Sequence, residues 1–488
     1  MKKSGIVLLV CAIFTDLCAY DYQTVLSNRV ALFQSTSGII NGMKIDSVIF
    51  NGDSIFYPMK NIQRIDDYCF DEKGSSWMGN KIIVSPEWNY FFNQHGDTIK
   101  IKTNARYHEG WTFFENESML IDAMVYFHDT MTVLGLVDSV KTIELQAYYK
   151  TEPTGRFAHG VLLLSKHFGL ITTYNLHVFP GNYETSLETY TMVGMNDPKL
   201  GIQNLRWLDV FDFQPSDEFH TEERYTMITA GPATDRKFSN IRLIQSREDF
   251  TDSIVYQIHD RNERIHKYGQ DVISHEFSDV ERKIVIRQSH LFDFLPGQPF
   301  IHNEMLMSNY MEYYGGIIRK RFRRIPYNES KACWMNESED TDVISDVCRY
   351  DKTEYYKGLG GPYYYRTDGC WEIDKTTETN TLLYYKKGTS AWGTPIVISG
   401  IDETSLGSDI FVYRNPVKDV LSIKFSHPAE NSFIKIYDLT GAVLFQKQIS
   451  SSESEIDLSA FIHGMYVYQV SVNGQVVKSG KFGKFAVK

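Results

Sequence analysis

Gly464-Met465-Tyr466-Val467-Tyr468-Gln469-Val470-Ser471-Val472-Asn473-Gly474-Gln475-Val476-Val477 is the stretch whose reading decides the fold class. Tyr466, Tyr468, Val470 and Val472 fall on one side of an extended backbone, with Val467, Gln469 and Ser471 on the other. That period of two marks a half-buried strand. Asn473-Gly474 suits the positive φ values of a two-residue hairpin turn, and Val476-Val477 starts the return strand. Upstream, Thr440-Gly441 separates Phe433–Leu439 from Ala442–Ile449 in the same manner. With turn signals about every 8–12 residues, Ser408–Lys488 is expected to form a small immunoglobulin-like β-sandwich.

Five motifs run through this module in order: Phe411–Ile423 around Asn415-Pro416, Ile434–Gly441 around Asp438 and Gly441, Ile456–Ser459, Gly464–Tyr468, and Lys481–Phe485. Their order and spacing resemble the C-terminal sorting domain of the type IX (Por) secretion system of Bacteroidetes, although Arg414 stands where that family usually has a second proline. The resemblance implies a sorting motif at Asn415, Pro416, Asp438, Gly441 and Gly464. It also implies a secreted or outer-membrane-surface location in a Gram-negative bacterium, with the type IX machinery and surface lipopolysaccharide as partners. Strand pattern alone also fits a carbohydrate-binding or adhesive sandwich.

The N-terminus agrees with export. Lys2 and Lys3 precede the apolar run Ile6–Phe14, giving residues 1–19 the form of a signal peptide cut after Ala19. That run is shorter than the roughly 20 apolar residues needed to span a bilayer, and no later run qualifies in the mature chain. Cys11 and Cys18 raise a lipoprotein anchor as the rival, but Val10 and Leu17 occupy positions where its processing wants a small residue.

A chain of 488 residues exceeds one ordinary core. We expect an all-β, multidomain protein with a β-sandwich-like central region: a β-rich domain over 20–155, a β-rich region over 156–400 with a division near 295–299, a linker at 401–407, and the sorting domain at 408–488. Alternation in Ile99–Ala105 and Thr142–Ala147 predicts strands, and Lys166-His167-Phe168-Gly169 a hairpin. One short helix is expected at Val343–Cys348. Leu164–Ile171, Asp212–His220 and Tyr384–Pro395 resemble segments of uncharacterised secreted Bacteroidetes proteins, a resemblance that brings no activity with it.

The aromatic share is 14%, with 31 Tyr and 30 Phe, which favours strands and suits glycan- or protein-binding surfaces. A net charge of −11 argues against nucleic acid as a partner. No nucleophile elbow, zinc helix, P-loop or dinucleotide fingerprint is present, and neither a cofactor nor a metal is implied. The best acidic constellation is Asp209, Asp212, Asp217, Glu218 and His220, near Trp207 and Phe211. Such carboxylates could act as acid and nucleophile on a glycosidic bond, hold Ca²⁺, or form a solvated loop. The basic run Arg319–Arg324 reads either as an anion-attracting patch or as an exposed strand face. A non-catalytic module binding a glycan or protein ligand is therefore expected, with a glycan- or peptide-directed hydrolase as the alternative.

After signal removal Cys69, Cys333, Cys348 and Cys370 remain. In an oxidising compartment they are expected to pair, with Cys333–Cys348 favoured because it closes the shortest loop. Finally, Asp precedes Ser47, Ser54, Thr98, Thr130, Ser139 and Ser253, each followed by an apolar residue. These triplets resemble the O-glycosylation motif of exported Bacteroidetes proteins; the structural alternative is a turn ending where a strand begins.

Overall fold

The computed structural model describes residues 21–64, 69–71, 75–181, 188–302, 305–325, 327–329, 332–335, 349–369, 375–398, 410–413, 417–425, 431–449, 451–472 and 475–484. The signal segment, Asn415-Pro416, Asn473-Gly474, the expected helix at Val343–Cys348, and Cys370 lie outside them. The described chain is all-β. Its helical elements are the single turn Trp207–Val210 and a 3-10 turn at His290–Phe292.

The chain forms two compact units, Met1–Asp212 with Arg287–Thr377, and Phe213–Ile286 with Glu378–Lys488. In the first, eleven strands pair antiparallel, each with the next: Ile45–Asn51, Asp53–Pro58, Ile82–Val84, Trp88–Phe92, Thr98–Lys102, Gly110–Glu115, Met119–Val133, Leu136–Tyr149, Glu152–Ser165, Gly169–Tyr174 and Thr189–Met195. The ladder continues through Ala31–Ser35, Ile39–Met43, Met305–Tyr314, Ile317–Ile325, Arg349–Tyr356 and Gly360–Asp368. One apolar core gathers Phe33, Phe91, Phe113, Phe114 and Leu162 from strands of this ladder and Trp77 and Phe179 from turns between them, so the sheet must curl over itself. Each large side chain buried in this way is worth about 1.5–3 kcal/mol.

The expected strands at Ile99–Ala105 and Thr142–Ala147 fall in Thr98–Lys102 and Leu136–Tyr149, and the hairpin at Lys166–Gly169 joins two paired strands. The expected boundaries fare differently. Thr154-Gly155 lies inside the strand Glu152–Ser165, which pairs with Leu136–Tyr149. The 295–299 loop is fastened into the first unit, where Pro296 O accepts from Gly42 N at 2.6 Å and Gly297 O from Asn61 Nδ2 at 3.0 Å. Gly and Pro mark turns as readily as domain ends, and here the chain leaves the first unit and later returns to it.

In the second unit, Glu218–Ile228, Thr234–Asp249, Ser253–Tyr268 and Asp271–Arg287 form a meander, with Lys375–Lys387 against its first strand. Phe213, Phe219, Ile241, Tyr256 and Ile258 fill its core. Asp260 is fully buried yet satisfied, because Arg242 and Arg282 both donate to it.

Among its described residues the C-terminal module has seven strands in two antiparallel sheets. Ile410–Tyr413, Val420–Phe425 and Glu453–Asp457 form one; Val443–Ile449, Ser432–Tyr437, Gly464–Val472 and Gln475–Lys484, in that spatial order, form the other. Tyr466, Tyr468, Val470 and Val472 are all buried in the core with Leu421, Ile423, Ile434 and Ile436, as the alternation requires. The Tyr466 hydroxyl donates back to Ile462 O at 2.7 Å, just before its strand begins. That is the tyrosine corner of immunoglobulin-like sandwiches.

The expected Cys333–Cys348 bridge is corrected: Cys333 is bonded to Cys69, 264 residues away, with Cα atoms 5.7 Å apart. The cause is strand pairing. Cys333–Met335 lies antiparallel to Cys69–Asp71, with Met335 opposite Cys69 and Trp334 opposite Phe70, and both thiols are buried. Cys348 lies outside the described residues.

Candidate functional site

The strand Ala31–Ser35 buries Ala31 and Phe33 in the core of the first unit, so Leu32 and Gln34 point the other way. There they line a cleft of about 990 Å³. Val193 and Met195 of the paired strand also line it, although Met195 stands opposite Ala31 and is itself buried in the core. The lining also includes Phe292, Leu295, Ile318 and Tyr313. Tyr313 and Ile318 are cross-strand partners on the face that buries Met311 and Lys320 further along. The hairpin thus runs on past the core and offers its inner face to the cleft. One glycine is indispensable here: a Cβ on Gly194 would lie 1.7 Å from Ile202 O.

Lys320 stands behind this wall, fully buried. Its amine donates to Asn204 Oδ1 at 3.0 Å, to Phe292 O at 3.2 Å and to Phe294 O. Burial pushes it down to about 7, with Asp293 pulling the other way. Lys320 therefore ties together three segments, each of which supplies cleft residues.

Asp209 is also in the wall, but as a structural group. The single helical turn Trp207–Val210 is closed by Arg206, whose Nε and Nη2 each donate to the Asp209 carboxylate at 3.0 Å while its backbone N–H adds a third bond at 2.9 Å. Burial works against ionisation, yet these bonds hold Asp209 below the usual carboxylate range.

The rest of the expected acidic constellation is not gathered there. Asp212 ends the first unit and is exposed; Asp217, Glu218 and His220 belong to the second. Asp217 is buried and takes Lys387 Nζ at 2.9 Å and the Gln214 amide at 2.7 Å. Buried His220 donates from Nε2 to Glu218 at 2.6 Å, while its Nδ1 accepts from the Ile396 amide at 3.0 Å. Asp217, Glu218 and His220 are thus each engaged by other groups of the second unit.

The basic run is resolved by register. Arg319 and Arg321 stand opposite Glu312 and Tyr310 on one neighbouring strand, and opposite Tyr356 and Glu354 on the other. Arg319 binds Glu312 at 2.6 Å and Glu354 at 3.1 Å; Arg321 binds Glu354 at 2.7 Å and the Tyr310 hydroxyl. Burial opposes it, but Arg321 and Arg319 keep Glu354 below its ordinary value. Alternation was the signal that could have found this: Lys320 faces inward, and its two arginine neighbours share the other face.

Among the glycosylation triplets, Ser47 and Thr130 are exposed, whereas Ser54, Thr98, Ser139 and Ser253 are partly covered. Ser139 accepts from Tyr22 Oη at 2.8 Å and lies 3.0 Å from His128 Nε2. In the sorting module, Asp438 Oδ1 accepts from Thr440 N, Thr440 Oγ1 and Ala442 N at 2.9, 2.6 and 2.9 Å, closing a turn in which Gly441 has φ +89°. Gly464 opens its strand with no atom within 4 Å of the position a Cβ would take. Among the described residues no helix is long and apolar enough to cross a membrane, and no three ligating side chains form a metal site.

A two-sheet sandwich with a tyrosine corner, ending an otherwise all-β chain, defines a protein built with a separate C-terminal module. Residues 411–482 match the family model of the secretion system C-terminal sorting domain. The chain is thus exported by the type IX pathway to the cell surface or beyond it. No curated protein matches it. Among solved structures it is similar to PorZ, a surface component of the type IX secretion system of Porphyromonas gingivalis, at 11% identity over 92% of this chain and 79% of that one, with a TM-score of 0.15. It is also similar to the extracellular domain of a one-component system of B. thetaiotaomicron, at 8% identity over 95% and 98%, with a TM-score of 0.13. At such TM-scores neither similarity bears on the architecture described above.

Proposed function

We propose that residues 20–400 are a non-catalytic binding module displayed at the cell surface, with the cleft of the first unit as its binding site. The observation that carries this reading is the state of the carboxylates. Asp209 is neutralised by Arg206, Asp217 by Lys387, and Glu218 is engaged by His220. A glycosidase needs two carboxyl groups about 5–9.5 Å apart facing one bond; here the candidates belong to two units and to structural pairs. The cleft has the volume and mixed lining of a small-ligand site. On this reading residues 1–19 carry the chain across the inner membrane, and the sorting domain is removed at the surface, leaving the protein on lipopolysaccharide or free. The test is a glycan and protein array probed with exported protein, run beside an assay for reducing ends and new peptide termini. Retention without turnover is expected. Turnover abolished by Asp212→Ala or Glu218→Ala would restore the hydrolase.

A further inference from the structure

From the charges of the cleft we infer that it takes carboxylate-bearing oligosaccharides, an inference that rests on the binding role proposed above. The charged side chains in its lining are three cations, Lys199, Arg206 and Lys357, and two carboxylates, Asp209 and Asp293. Both oxygens of Asp209 are taken by Arg206, and one oxygen of Asp293 accepts from His290 Nδ1 at 2.9 Å. Lys199 and Lys357 are exposed, and among the described residues neither amine is within ion-pair distance of a carboxylate, although Lys357 is near enough to help hold Asp209 ionised. A local cation excess stands out on a chain of net charge −11, so it is not the background of this surface.

Both lysines sit on turns held from several sides. Lys357 N donates to Ile318 O at 2.9 Å, and Gly358 N to Asp209 O at 2.7 Å. The Lys199 turn is tied by Gln203 Nε2 to Met195 O and Leu200 O at 2.9 and 2.8 Å, and by Asn196 Oδ1 to Val30 N at 2.8 Å. The turn backbones are therefore positioned before any ligand arrives, which lowers the ordering cost of binding. Tyr313, 49% exposed, offers an aromatic face in the same lining, and Gln34 adds a side-chain amide. An exposed ring stacks on the apolar face of a sugar, amides pair with hydroxyls, and lysine ammonium groups meet carboxylates as point charges. A volume of about 990 Å³ exceeds what one small anion fills and suits a few sugar rings.

The test is calorimetric titration of the exported full-length chain with trigalacturonic acid, mannuronic acid trimer and sialyllactose, beside neutral maltotriose and cellotriose. At least one acidic sugar is expected to bind and the neutral ones not to. Binding should weaken severalfold between about 20 and 300 mM salt as the charges are screened. Lys199→Gln with Lys357→Gln should weaken it about tenfold or more, and Tyr313→Ala should also reduce it. Neutral sugars binding equally well, no acidic sugar binding, or indifference to the lysine changes would each overturn the inference. If neutral glycans, acidic peptides or proteins bind instead, the binding role survives and the ligand class fails. Cleavage of the probe during titration would overturn the binding role itself.

Discussion

At the residue scale, two buried amines govern how the first unit responds to pH. Burial holds Lys320 down to about 7 and Lys141 to about 8, against an ordinary 10.5; Glu109 and Asp21 pull Lys141 back up. Between those values and 10.5 the unfolded chain binds more protons than the folded one, so stability rises with pH through that window and is lost as pH falls through about 7 to 8. Tyr190 and Tyr355 are raised by burial and act oppositely, but only above the ordinary tyrosine value of 10.0. Urea unfolding between pH 7 and 9 should therefore show a rising midpoint, and Lys320→Met should flatten the slope. A midpoint falling over that interval would refute the assignment. Alternation with Phe322 marks Lys320 as the inward member of its strand. Reading the basic run as a patch or an exposed face passed over that signal, which carries no trace of the three oxygen partners. Those come from the Asn204 and Phe292–Phe294 segments, whose approach is a tertiary fact.

At the element scale, most single strands were readable and their long-range pairing was not. The period of two marks Gly464–Val472 and Thr98–Lys102, because burial on one face leaves a local trace. The pairing of Cys69–Asp71 with Cys333–Met335 leaves none, so loop length favoured the wrong partner for Cys333. The sequence likewise grouped Asp209 with His220 by proximity, whereas the chain passes from one unit to the other at Asp212. Non-reducing peptide mapping should find Cys69 joined to Cys333; a Cys333–Cys348 peptide would contradict this account. Losing Cys69–Cys333 should cost roughly 2–5 kcal/mol, read as an earlier urea transition for Cys69→Ser with Cys333→Ser.

Exposure also sorts the modification triplets by element. Ser47 lies on the strand Ile45–Asn51, and Thr130 in the exposed outer half of Met119–Val133. If the exported protein carries O-glycans, intact mass should fall in Ser47→Ala or Thr130→Ala. Ser139, held by Tyr22 and His128, should stay bare. Glycan found at Ser139 and at neither exposed site would contradict the ordering.

At the scale of the whole molecule, the chain joins a module with a known destination to a larger region that supplies the payload. The sorting sandwich was legible because its short strands, turns and motifs are local and in order. The cleft was not, since its lining comes from segments as distant as Ala31–Ser35 and Lys357, brought together by long-range strand pairing in the first unit. The most direct test of the account compares surface labelling of the intact chain with that of a chain lacking residues 408–488, expressed in a type IX-competent host. The intact chain should be labelled at the surface and the shortened one found folded in the periplasm, with Cys69–Cys333 formed. Equal surface labelling of the two would contradict the account.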